Sequence, residues 1–134
     1  MNRTLAAYAA TAVTMLLIDM VWLGVIARPL YQQGIGHLMA PQPNLWAAAL
    51  FYLLYPAGLV LFAVAPNAGS AALQTALMGA AFGLFAYATY DLTNLATLKG
   101  WPLGLSVIDT LWGAAASAVA ATAGRAAINH FTPA

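Results

Sequence analysis

The sequence predicts an all-α integral membrane protein: a four-transmembrane-helix up-down bundle with a short interfacial helix between the first and second spans. Two observations carry this reading. Apolar residues make up 63% of the 134-residue chain and charged residues 5%, against roughly 45–50% and ~25% in an ordinary soluble domain. Four stretches also approach or exceed the ~20 apolar residues that cross a ~30 Å hydrocarbon core. Four Lys or Arg and three Asp cannot cover a soluble exterior, so lipid is the solvent for most of the surface. A net charge of +1 leaves no basic stripe to neutralise phosphates, which excludes nucleic acid as a partner. With no cysteine there are no disulfides, thiolate metal sites or cysteine nucleophiles.

The spans fall at about 5–27, 45–65, 73–98 and 103–125, giving a single membrane domain over 1–134. The first follows Arg3 as a secretory signal would, but Asp19 interrupts it and it is long for a signal core, so it reads as a retained helix. In the 28–44 connection, Leu30, Tyr31, Ile35, Leu38 and Met39 recur at near-helical spacing after Pro29, with Gln32, Gln33, Gly36 and His37 on the other side. That pattern predicts an amphipathic helix in the membrane interface, and an irregular loop is the alternative. Pro66-Asn67-Ala68-Gly69 and Lys99-Gly100-Trp101-Pro102 read as tight turns, which makes consecutive spans antiparallel neighbours. Arg3 and Arg125 lie at one end, Arg28 and Lys99 at the other. This tie under the positive-inside rule is read as termini on the cytoplasmic side of the inner membrane.

All three acidic residues lie inside spans. Asp19 is nine residues before Arg28, Asp91 eight before Lys99 and Asp109 eight after Trp101, so each sits ~12–14 Å along its helix from the same boundary. Tyr52 and Tyr55 of the second span reach nearly that level. On the third span Tyr87, Tyr90, Asp91 and Asn94 share one helical face, continued by Gly83. The first and fourth spans share Ile18-Asp19-x-x-Trp22 and Ile108-Asp109-x-x-Trp112. In antiparallel helices a duplication would mirror the two depths, so the motifs read as two walls of one pocket. The candidate ligand-binding set is therefore Asp19, Trp22, Tyr52, Tyr55, Tyr87, Tyr90, Asp91, Asn94, Asp109 and Trp112, with Arg28 and Lys99 at the mouth.

Plainer roles compete with this reading. A single intramembrane Asp often only bonds a neighbouring helix, although three at one depth point to a site. Tyr52 and Tyr90 also suit an interfacial aromatic belt. Gly79-x-x-x-Gly83 and the Ala114–Ala116 run with Ser117 suit close packing, within the bundle or between subunits of a homo-oligomer. Pro56 predicts a bend in the second span that frees a carbonyl. His37 and His130 are isolated, so no zinc or iron site is expected, while an oxygen-ligated hard cation stays open. No cofactor is indicated.

The run Tyr87-Ala88-Thr89-Tyr90-Asp91-Leu92-Thr93-Asn94-Leu95-Ala96-Thr97, with Trp101-Pro102, Asp109-x-x-Trp112-Gly113, Asp19-x-x-Trp22-Leu23-Gly24 and Phe51-Tyr52-x-x-Tyr55, resembles the bacterial membrane-protein family called domain of unknown function 2177 (DUF2177). The similarity covers nearly the whole chain. It implies a four-span inner-membrane protein and names no activity or substrate.

The leading functional reading is a buried acidic and aromatic pocket that binds or transports a small cationic or amphipathic ligand, with proton coupling made feasible by carboxyls in a low-dielectric layer. Indole and phenol faces suit an organic cation. One alternative is a membrane-embedded enzyme acting on lipid, with paired Asp as acid and base or as ligands of a magnesium-like cation. The other is an accessory subunit whose polar layer only secures packing. Membrane lipid is the expected partner in each case.

Overall fold

The computed structural model describes residues 2–131; residues 1 and 132–134 of the expected domain lie outside the described residues. Helix α1, Arg3–Val21, begins at Asn2, whose side chain accepts from the Thr4 and Leu5 backbone N–H groups at 2.8 and 3.3 Å. It continues through a π turn, Trp22–Ile26. Helix α2, Arg28–Ile35, carries Pro29 in its first turn, where no intrahelical N–H partner is needed, and passes into the 3₁₀ turn Gly36–Leu38. The helical alternative thus holds for the first part of the 28–44 connection.

Helix α3, Leu45–Leu59, is capped by Asn44 and runs on through the π turn Val60–Val64 and the 3₁₀ turn Ala65–Asn67. Helices α4, Ala72–Thr97, and α5, Leu103–His130, flank a turn with Gly100 at φ 70°, a backbone conformation that favours glycine. Among the described residues there is no strand, and the helical stretches Arg3–Ile26, Leu45–Asn67, Ala72–Thr97 and Leu103–His130 are long and apolar enough to cross a membrane. Helix α5 runs past Arg125, whose Nη2 donates to the Ser70 carbonyl at 2.7 Å and so ties it to the α3–α4 turn.

Contacts fix the directions. Asp19 of α1 meets Trp112 of α5, while Ala7 and Thr11 lie against Gly124. Tyr87 of α4 lies against Gly113, and Gly79 against Ala121. Both pairs are antiparallel. Tyr55 of α3 meets Ser117 and Val64 lies by Gly124, so α3 runs parallel to α5 and the helices alternate up and down.

Small residues bring α4 and α5 together. A Cβ on Gly83 would strike the Gly113 carbonyl and the Ser117 side chain, so only glycine permits this approach. The Gly79–Gly83 stripe, with Ala116 and Ser117, is thus occupied inside the chain.

The apolar core, including Met15, Leu59, Val64, Ala120 and Ile128, fills the half of the bundle nearer the termini. There α3 joins α4 through its π turn and through Phe62–Phe82 and Tyr55–Phe82 ring contacts. Toward its N-terminus α3 parts from α4. Pro56 has no N–H to offer the Tyr52 carbonyl, and one residue on, the Leu53 carbonyl accepts from Tyr8 Oη at 2.7 Å.

Candidate functional site

A cavity of about 810 Å³ occupies the half of the bundle in which α3 stands away from α4. Asp19, Trp22 and Leu23 line it from α1 and its π turn, Tyr31 from α2, and Ala47, Ala48, Phe51, Tyr52 and Tyr55 from α3. Ala86, Tyr87 and Tyr90 of α4 and Asp109 and Trp112 of α5 complete it. The polar layer read from the sequence is therefore largely one wall-to-wall chamber.

In its wall Trp22 and Trp112 stack with ring centroids 4.4 Å apart and planes 3° from parallel. The stack crosses from the π turn that follows α1 to α5, and the indole N–H of Trp112 reaches the opposite acid directly while that of Trp22 reaches it through Tyr31. Trp112 Nε1 donates to Asp19 Oδ1 at 2.9 Å, while Tyr52 Oη donates to Asp19 Oδ2 at 2.7 Å. Trp22 Nε1 donates to Tyr31 Oη at 3.4 Å, and Tyr31 Oη in turn donates to Asp109 Oδ1. The two Asp-x-x-Trp motifs are thus interlocked, as two walls of one pocket require.

Burial, and next the bond to Asp109, push the Tyr31 phenol above its ordinary range, so it stays neutral and remains a donor. Below the stack, Tyr55 Oη and Ser117 Oγ lie 2.6 Å apart and close the floor. The Tyr87 ring lies on Gly113 and meets Tyr55 edge-on at 5.9 Å.

All three aspartates are buried, at 4%, 1% and 7% exposure for Asp19, Asp91 and Asp109. Asp91 is nevertheless behind the wall. It sits between α4 and α5, where Thr110 Oγ1 donates to its Oδ2 at 3.1 Å and its Oδ1 has no hydrogen-bond partner. The Asp109 carboxyl adjoins it. Although Tyr87, Tyr90 and Asn94 share its helical face, the side-chain donor to Asp91 is Thr110, because α5 approaches closely enough to supply it. Tyr90 turns its ring edge-on to Trp101 at 5.7 Å and lines the cavity at its rim.

Asn94 does not line the cavity, and neither do Arg28 and Lys99, both exposed. Among the described residues no three His, Asp or Glu side chains converge closely enough to hold a metal ion.

Sequence reasoning missed Tyr31, Thr110 and Ser117. Tyr31 lay on the apolar side of the short helix, and its signal was a phenol within one turn of the span that carries Asp19. Thr110 directly follows Asp109 and faces α4 as Asp109 faces the cavity. Ser117 gave only a packing signal.

These features define a class: a four-span membrane protein with an acid-bearing aromatic cavity between its helices. The chain matches the family described as "Predicted membrane protein (DUF2177)" over residues 4–126, and it belongs to that family. No curated protein and no solved structure matches it.

Proposed function

We propose that the chain binds or transports a small organic cation or cationic amphiphile within the membrane, using the cavity between α1, α3, α4 and α5. One observation carries the reading: two buried carboxylates, Asp19 and Asp109, border a chamber of about 810 Å³ beside a parallel indole pair. Asp19 Oδ1, Asp19 Oδ2 and Asp109 Oδ1 each accept one side-chain donor, and a carboxylate oxygen has room for more, so a ligand's positive charge can still be met. The flat faces of Trp22, Trp112 and the tyrosines attract the same charge through their ring quadrupoles. A cavity of this size suits a ligand larger than an inorganic ion.

Proton coupling belongs to the same reading, supported by the juxtaposition of Asp91 and Asp109. A proton held between these carboxyls would give Asp91 Oδ1 the partner it lacks. The proposed setting is the inner membrane of a bacterium with both termini cytoplasmic, and the even number of spans supports putting both termini on one side.

The test is calorimetric titration of tetraphenylphosphonium into the protein in zwitterionic nanodiscs. Saturable binding is expected, weakened about tenfold or more, roughly 1.4 kcal/mol, by Asp19→Asn and by Asp109→Asn. Equal binding by both folded variants and the wild type overturns the reading.

A further inference from the structure

We propose that the ligand is a single-chain cationic amphiphile that enters sideways from the bilayer, its ammonium headgroup beside Asp19 and Asp109 and its chain in the cleft between α3 and α4. The inference rests on the cation-binding reading above and adds the ligand's tail and its route.

The cleft follows from the packing. From Tyr55 toward the 68–71 turn, α3 is held against α4 by Tyr55, Phe62 and the π turn Val60–Val64. Toward the other end the two helices separate, yet both still line one cavity, Ala48 and Phe51 from one side and Ala86 and Tyr90 from the other. The two alanines present only methyl groups there, which keeps the gap wide. Tyr90 is drawn aside by its contact with Trp101.

Polarity is graded across the chamber. Both carboxylates lie on the far wall, on α1 and α5, while the α3 side of the opening is alanine and phenylalanine. Both helices that frame the opening are membrane spans, so the opening faces lipid chains. At the end of the bundle α2 is fastened across α1 and α5. Tyr31 bonds Asp109, and Gly34 packs so closely that a Cβ there would lie 3.0 Å from Pro102 Cγ and 3.3 Å from Leu105 Cδ2. A molecule with its charge at the aspartates and its chain through the side opening meets acid with cation and lipid with hydrocarbon, leaving neither part unmatched.

The experiment uses the full chain in zwitterionic nanodiscs and a dodecyltrimethylammonium probe with a diazirine on its chain, with crosslinks mapped by mass spectrometry. Labelling is expected on Ala48, Phe51 and Ala86 in preference to Leu54 and Leu61 on the outer side of α3. Unmodified dodecyltrimethylammonium should suppress it and tetramethylammonium at equal concentration should not. Asp19→Asn combined with Asp109→Asn should lose the preference. Ala48→Trp, which fills the cleft and leaves both carboxylates in place, should lose it while melting close to the wild type.

Even labelling over the outer face, or cleft labelling that persists in folded Ala48→Trp, overturns the proposal. Suppression by tetramethylammonium as strong as that by the long-chain amine also overturns it, while leaving the cation-binding reading intact. Absence of both cleft labelling and tetraphenylphosphonium binding removes both readings.

Discussion

Asp91 carries a buried oxygen without a partner next to a second carboxyl, and this makes its substitution informative. An amide keeps an oxygen for Thr110 and turns a donor toward Asp109. Asp91→Asn is therefore expected to melt within about 1 kcal/mol of the wild type, the net worth of one hydrogen bond, because its amide N–H takes the place of the shared proton as donor to Asp109, read as thermal melting in nanodiscs. It should also abolish proton release on tetraphenylphosphonium binding, measured with a pH dye in weak buffer; a destabilised variant that still releases protons would contradict both expectations. The burial of this acid was legible in the sequence, since every acidic residue lies in an apolar run and counting from the turns sets the depths. Its separation from the cavity was not legible. Which side of α4 faces the chamber depends on how near α5 comes, and that is decided by Gly83 against Gly113 and Ser117, contacts made across helices.

Among the elements, α2 is the one held by least. It packs on α5 through Gly34 and reaches the polar layer through Tyr31. Tyr31→Phe removes a neutral donor to an acid, a bond worth about 1.5–3 kcal/mol when the acceptor is charged. The expected outcome is faster amide hydrogen exchange confined to 28–38 with the long helices unchanged; unchanged protection of α2 would show that Gly34 packing alone holds it. The periodicity of this segment revealed a helix and an apolar side, but nothing in it said that the tyrosine turns inward to an acid on a distant span. The long helices were plainer, because about twenty apolar residues between turn-forming prolines and glycines admit few other structures in lipid. Their separation at one end was beyond the sequence, apart from the hint given by Pro56.

For the whole molecule, the alternation of directions puts Asn2 and Ser70 at one end and Gln42 and Gly100 at the other. The native chain has no cysteine, so each introduced one is a unique reporter. With cytoplasmic termini, a membrane-impermeant maleimide applied to intact cells should label Gln42→Cys and spare Asn2→Cys until the membrane is permeabilised; the reverse pattern would invert the orientation. Charge could not decide this from the sequence, since the basic residues divide evenly between the two ends. The Trp22–Trp112 stack has a consequence of a different kind. Two parallel indoles at 4.4 Å share electronic excitation, and because one belongs to the π turn of α1 and the other to α5, their coupling lasts only while those helices stay at that separation. The protein thus contains an optical gauge of its own chamber, sensitive to anything that pries the two walls apart and readable in the near ultraviolet without a label.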